Sequence, residues 1–244
     1  MDECIRPVSS SCQLPSNIDQ PVLRYMNIEK FEYLLENKSL YLCRADKLQD
    51  IFEGCYSQEQ IAYQEKYLQD SGWGGSEKEQ ANARRLKRRQ TYISCWCMSD
   101  YDFDLMWKAY VGTESGVAIK STAKQLQAIC EQSIDCWPLD ISEVEYYDQA
   151  GGRHIGYNRL SPFLHKDKHF ELDREMRIIQ WGNWKEPTPD HLDLPVILDQ
   201  LILAVILSPK SSKNDMNTVK NMLKRHNLEN IPVELSRNDR EPVD

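Results

Sequence analysis

Tyr92-Ile93-Ser94-Cys95-Trp96-Cys97 reads as a strand, Phe103 to Tyr110 as a short helix, and Gly116-Val117-Ala118-Ile119 as another strand, entered through a glycine. Toward the N-terminus, Val22-Leu23-Arg24-Tyr25 is a short strand. Ile28, Phe31, Leu34 and Leu35 then recur at helical spacing up to Asn37, and a second strand, Leu40 to Cys43, follows directly. From about 57 to 90 the pattern is helical. Gly72-Trp73-Gly74-Gly75 breaks it, and Ser76 with Glu79 forms a capping box that restarts it, so a helical hairpin is expected as an insertion. Toward the C-terminus, Thr122 caps a helix through Cys130. Val144 to Tyr147 and Glu175 to Trp181 read as strands separated by a polar loop rich in Gly, His and Lys. The apolar run Leu198 to Leu207 reads as one buried strand, with Leu201 to Leu207 as the candidate central strand. A helix from Asn214 to His226 and a strand from Ile231 to Leu235 close the pattern. Strands outnumber what a regular strand–helix–strand repeat would give, and helices come irregularly, so the class is α+β. The expectation is a single domain over 21–244 with a mixed, mostly antiparallel sheet, flanking helices and the inserted hairpin, preceded by a loose or disordered arm over 1–20.

Composition bounds the function. The 244 residues suit one hydrophobic core, and no run approaches the roughly 20 apolar residues that cross a bilayer. The start, Met1-Asp2-Glu3, lacks the basic and apolar regions of a signal peptide, so the expected compartment is the cytoplasm, with no membrane partner. There the eight cysteines are expected as thiols. Only Cys95-x-Cys97 is a close pair, and no second pair completes a tetrahedral site, so no metal is expected. A formal charge of -8 opposes generalised binding to a phosphate backbone. The run Arg84-Arg85-x-Lys87-Arg88-Arg89 spreads around a helix and reads as a solvated face, with local nucleic-acid contact as its alternative. His154, His165 and His169 lie in the polar loop without a partner at fixed spacing and are expected to be exposed.

Asp173-Arg174-Glu175-Met176-Arg177 carries the chemistry. In an extended segment alternate side chains share a face, so Asp173, Glu175 and Arg177 would project together while Met176 and Ile178 face the core. Two carboxylates with an arginine can bind a sugar hydroxyl or stabilise a cationic transition state; the same three can equally form a solvated salt-bridge ladder. Asp50 and Glu53 can line a cleft, or cap or salt-bridge the following helix. Trp107 and Tyr110 share a helix face, as core or as a ligand platform, and Tyr25 has the same two readings.

In order and spacing, Tyr25, Gln49-Asp50-Ile51-Phe52-Glu53, Ser99, Met106-Trp107-Lys108-Ala109-Tyr110, Gly116-Val117, Lys168 and Asp173-Arg174-Glu175-Met176-Arg177 resemble a bacterial family catalogued as domain of unknown function 2971. Gln49 and Ile51 replace the Asn and Pro of its second box, and Asp173 replaces the first Glu of its Glu-x-Glu-x-Arg element. At the level of fold the arrangement is also similar to ADP-ribosyltransferases. That resemblance implies that NAD is a substrate, and that Arg24 or Tyr25 holds the dinucleotide. It implies further that Trp107 or Tyr110 stacks on nicotinamide, and that Glu175 supports the oxocarbenium-like transition state. It also implies a nucleic-acid or protein acceptor and a role as a toxin or anti-phage effector. The alternatives are a metal-independent nuclease or phosphodiesterase using Glu53, Glu175 and Arg177, and a non-enzymatic module that captures a nucleotide or peptide. No Gly-x-Gly-x-x-Gly or phosphate-binding loop is present.

Overall fold

The computed structural model describes residues 13–72, 75–132, 139–148, 159–182 and 187–236. The strands are β1 (Pro21–Asn27), β2 (Ser39–Arg44), β3 (Thr91–Met98), β4 (Gly116–Thr122), β5 (Leu139–Glu143), β6 (Glu145–Tyr147), β7 (His165–Asp167), β8 (Glu175–Trp181), β9 (His191–Pro195), β10 (Ala204–Leu207) and β11 (Val233–Leu235). The helices are α1 (Ile28–Asn37), α2 (Gln58–Asp70), α3 (Glu77–Arg89), α4 (Asp104–Tyr110), α5 (Ala123–Gln132), α6 (Ser161–Leu164), α7 (Leu198–Leu201) and α8 (Lys213–Arg225). The class is α+β, with mixed, mostly antiparallel strand pairing and flanking helices. No helix among the described residues is long and apolar enough to cross a membrane.

Contacts divide the chain into two compact units. The first holds the described residues of Leu42–Ser94 and Asp135–Leu192 with Gln13; the second holds Leu14–Tyr41, the described residues of Cys95–Ile134, and the described residues from Asp193 onward. Each unit gathers stretches far apart in sequence, so no Gly- or Pro-rich linker marks the division.

In the second unit β4 pairs antiparallel with β1 over Pro21↔Thr122 to Asn27↔Gly116, and with β10 on its other edge. β10 in turn pairs parallel with β11. The strand expected over Leu201–Leu207 is confined to Ala204–Leu207, because Leu198–Leu201 closes a single helical turn, with Leu201 and Ile202 N–H donating to the carbonyls of Ile197 and Leu198. A continuous apolar run does not tell a buried strand from a buried turn. One face of β1 meets α4: Leu23, Tyr25, Cys97, Met106, Trp107, Val111, Ala118 and Ile206 form a buried cluster. Residues 17–20 of the expected arm are tied down, since Ala123 N–H donates to Gln20 O at 3.0 Å and Lys124 N–H to Ile18 O at 2.9 Å. Residues 1–12 of that arm lie outside the described residues.

In the first unit β8 lies between β5 and β3 and pairs antiparallel with β5 from Leu139↔Gln180 to Glu143↔Met176. The helical hairpin is α2 and α3. Ser57 with Gln60 and Ser76 with Glu79 each form a reciprocal capping box, a device worth about 1 kcal/mol per helix start. The polar loop between the strands of the sequence reading contains α6 and β7. β7 pairs parallel with β6, placing Lys166 opposite Tyr146, and a 3-10 turn over Lys168–Asp173 leads into β8. These elements span only three to six residues, too few to register as a period.

Candidate functional site

β8 is buried on both faces, and this changes the character of its charges. Glu175 is 2% and Arg177 1% exposed, alongside the apolar Met176 and Ile178. Charges so placed must be paired or they shift to neutral. Arg177 Nη1 and Nη2 donate to Glu53 Oε1 and Oε2 at 2.7 and 2.9 Å, a bidentate pair. Its Nε donates to Glu175 Oε2 at 2.7 Å, and Nη1 also donates to Phe163 O at 2.6 Å. The second oxygen of Glu175 accepts from Lys166 Nζ at 2.6 Å, and Lys166 reaches Asp173 Oδ2 at 3.3 Å. The Glu175 backbone N–H donates to Tyr146 Oη at 2.8 Å. Glu53, Arg177, Glu175, Lys166 and Asp173 thus form one connected chain of charges inside the first unit.

Three local devices hold it. Glu53 sits in a turn where its N–H donates to Asp50 O at 3.1 Å and Phe52 N–H donates to Asp50 Oδ1 at 2.9 Å. One reading of this box has Asp50 and Glu53 cap or salt-bridge the helix that follows, and among the described residues neither does: Asp50 closes the turn, Ser57 caps α2, and Glu53 pairs with Arg177 of β8. Gly54 then has φ +70°, and a Cβ there would stand 2.2 Å from Phe163 Cε1, so only glycine lets the turn approach the ring. Ile51 and Phe52, at the tip, are 73% and 69% exposed, whereas Glu53 beside them is 4% exposed. Arg174 has φ 42° between the 3-10 turn and β8. Asp173 therefore does not share the strand face with Glu175 and Arg177 as the alternation predicts; it ends the 3-10 turn and meets them through Lys166. The site lysine is Lys166, whereas Lys168, the position matched in the family resemblance, is exposed at the head of that turn.

The electrostatics follow from burial. Desolvation would raise the Glu175 pKa, but Arg177 and Lys166 outweigh it and hold the carboxyl down at about 2. Asp173 is pushed the other way, chiefly by desolvation and then by Glu175, against the pull of Lys166. Lys166 loses proton affinity to burial and regains more from Glu175, so it stays charged. Burial and the Glu175 charge raise the Tyr146 phenol, which keeps its proton.

The remaining sequence candidates fall in the second unit. Tyr25 and Trp107 are buried and meet edge-on, with ring centroids 4.8 Å apart at 85°; Tyr110 stacks on Tyr25 at 6.5 Å and is 42% exposed. Trp107 Nε1 donates to Asp102 Oδ2 at 2.8 Å. Tyr25 and Trp107 are thus core residues, and Tyr110 is the member of the trio that offers ring surface to solvent. Arg24 lies on the other face of β1, where Nη2 donates to Tyr41 O at 2.8 Å and the guanidinium sits 5.9 Å from the Trp96 ring. The structure therefore brings together Glu53, Asp173, Glu175 and Arg177 in one unit, and Tyr25, Trp107 and Tyr110 in the other.

Of the histidines expected to be exposed, His169 is; His165 is tucked in, with Nδ1 2.6 Å from Ser161 O and Nε2 3.3 Å from Glu145 Oε2. His154 lies outside the described residues. Among the described residues no group of three or more His, Cys, Asp or Glu is arranged around a metal position. The basic run is not uniformly solvated. Lys87 turns inward to donate to Tyr56 Oη at 2.8 Å, Arg88 Nη2 donates to Ile51 O at 3.0 Å, and Arg84 approaches Glu65 at 3.9 Å.

Lys166, Tyr146 and the Phe163 carbonyl are the members of the site that sequence reasoning missed. A three-residue strand gives no alternation to read, and a backbone carbonyl leaves no mark in sequence. Comparison with family models, with curated proteins and with solved structures found no match to this chain.

Proposed function

We propose that the chain consumes NAD in the manner of an ADP-ribosyltransferase, with the Asp173–Lys166–Glu175–Arg177 group as its charged centre. The observation that supports this is the divergence of two neighbouring carboxyls across one ammonium: Glu175 held ionised in a nearly dry setting, Asp173 held toward the protonated form. Paired carboxyls whose proton affinities are driven apart suit division of labour in bond cleavage. An ionised carboxylate sheltered from water stabilises positive charge on a ribose far better than one in solution. On this proposal the roles differ from those of the sequence reading. Both Glu175 oxygens are already engaged, so a ribose reaches that carboxylate only where Lys166 Nζ gives way. The Asp173 side chain is 20% exposed and is the first carboxyl a ligand would meet.

The test is nicotinamide release at saturating NAD, with a nucleic-acid or protein acceptor supplied. Glu175→Gln is expected to lower turnover on the order of 10²-fold while leaving affinity nearly unchanged, because the charge interaction grows in the transition state. Asp173→Asn should lower kcat/KM. Thermal melts of each variant separate lost chemistry from lost folding. Absence of nicotinamide release by the wild-type protein would overturn the reading.

One observation favours a second reading, a module that binds a nucleotide-type molecule without consuming it. Arg177 donates four hydrogen bonds and Glu175 accepts on both oxygens, as a satisfied structural frame would require. Saturable NAD binding with no nicotinamide produced is its signature.

A further inference from the structure

Lys87 and Arg159 are two cations of the first unit that have no carboxylate partner among the described residues. Lys87 Nζ donates to a neutral phenol, Tyr56 Oη, at 2.8 Å. Its ammonium also stands 5.4 Å from the Tyr56 ring centroid and 6.0 Å from that of Phe163. Arg159 lies over Trp181, its guanidinium carbon 4.0 Å from the ring centroid, and its Nε is buried with no hydrogen-bond partner among the described residues. The indole N–H of that Trp181 donates to Asp140 Oδ2 at 2.9 Å. Burial first, then the charge of Arg159, pulls the Lys87 ammonium down to about 8, and burial lowers Arg159 as well.

Phe163 joins the two cations: the Lys87 ammonium is 6.0 Å from its ring, and Arg159 immediately precedes the turn that Phe163 N–H closes onto Leu160 O at 2.8 Å. Two like charges half removed from water, with an orphaned donor on one of them, thus form an arrangement that is costly when empty. An anion placed between them removes the repulsion and supplies the missing acceptor. A guanidinium fork beside a point-charge ammonium suits a phosphate group, whose oxygens can accept from both. The aromatic walls suit a small molecule in which phosphate is joined to a flat or apolar body, and the chain's net charge of -8 disfavours a long polyanion.

We propose that Lys87 and Arg159, walled by Tyr56, Phe163 and Trp181, form a binding site for the phosphate group of a small phosphorylated molecule. The site is independent of the glycosidic chemistry proposed above, since pyrophosphate alone can fill it. Calorimetric titration of the whole protein with inorganic pyrophosphate tests it. Saturable binding is expected, weakened about tenfold or more by Lys87→Met and by Arg159→Gln, the factor that loss of one charge-assisted hydrogen bond carries. Arg85→Gln, on an exposed position of α3, should leave it unchanged. No saturable binding, or equal weakening by Arg85→Gln, overturns the proposal. Labelling of the wild-type protein with an amine-acylating reagent gives a second readout that needs no variant to fold. Pyrophosphate is expected to slow the modification of Lys87 severalfold and to leave that of the exposed Lys78 unaltered. An unchanged rate at Lys87 overturns the proposal as well.

Discussion

Glu175 and Asp173 share one ammonium and are nevertheless driven in opposite directions, and this has a consequence for stability. The folded-state pKa of Glu175 is depressed from 4.5 to about 2. Its stabilising contribution is therefore fully present above the unfolded value and is lost as pH falls through the folded one. Asp173, raised, works against folding as pH climbs through its own pKa, so the two oppose each other and the larger buried shift of Glu175 dominates at low pH. The thermal midpoint is expected to fall steeply as pH drops from 4.5 toward 2. Glu175→Gln should start from a lower midpoint near neutrality, because Lys166 and Arg177 lose a partner, and then show a shallower slope across that window. Equal slopes in melts of the two proteins would place the acid sensitivity elsewhere. None of this is legible from residue types alone: Asp173-x-Glu175-x-Arg177 reads as well for an exposed ladder, and Arg177's bidentate partner is 124 positions away.

At the scale of elements, periodicity and capping were the legible features. Helix α1 ends at Asn37, as its apolar spacing predicts, and the restart of the hairpin at Ser76 follows from Ser and Glu three residues apart. What stayed hidden was the turn at Asp50–Gly54, whose shape is set by a ring it meets rather than by its own residues. Two glycines at nearly the same φ separate these causes. Gly54, at +70°, faces Phe163, whereas a Cβ on Gly72, at +71°, would meet nothing within 4 Å among the described residues. Gly72→Ala should cost on the order of 1 kcal/mol, from backbone strain alone. Gly54→Ala should cost more than that by denaturant titration, because the Phe163 ring must shift and with it the carbonyl that Arg177 holds. Equal costs would mean that the ring yields freely.

For the molecule as a whole, the α+β class was legible because strands are too many for a regular alternation. The division into two units was not, since contacts that gather Leu42–Ser94 with Asp135–Leu192 leave no boundary in the order of residues. The site was half legible for the same reason: Glu53, Asp173, Glu175 and Arg177 stand out as charged residue types, while Lys166 depends on a short strand brought alongside Tyr146. One local feature gives access to the motions of the larger body. Phe52 stands in solvent directly beside buried Glu53, so it offers chymotrypsin a preferred side chain on a backbone too tightly turned to enter a protease cleft. Cleavage after Phe52 must wait for the turn to unwind, and in the regime where opening is fast its rate counts how often the bond to Arg177 lets go. Arg177→Met should speed that cut on the order of 10²-fold, the equivalent of about 3 kcal/mol for a broken buried pair. The peptide released over time then serves as a clock for the breathing of the charged interior, read without any ligand and without unfolding the protein.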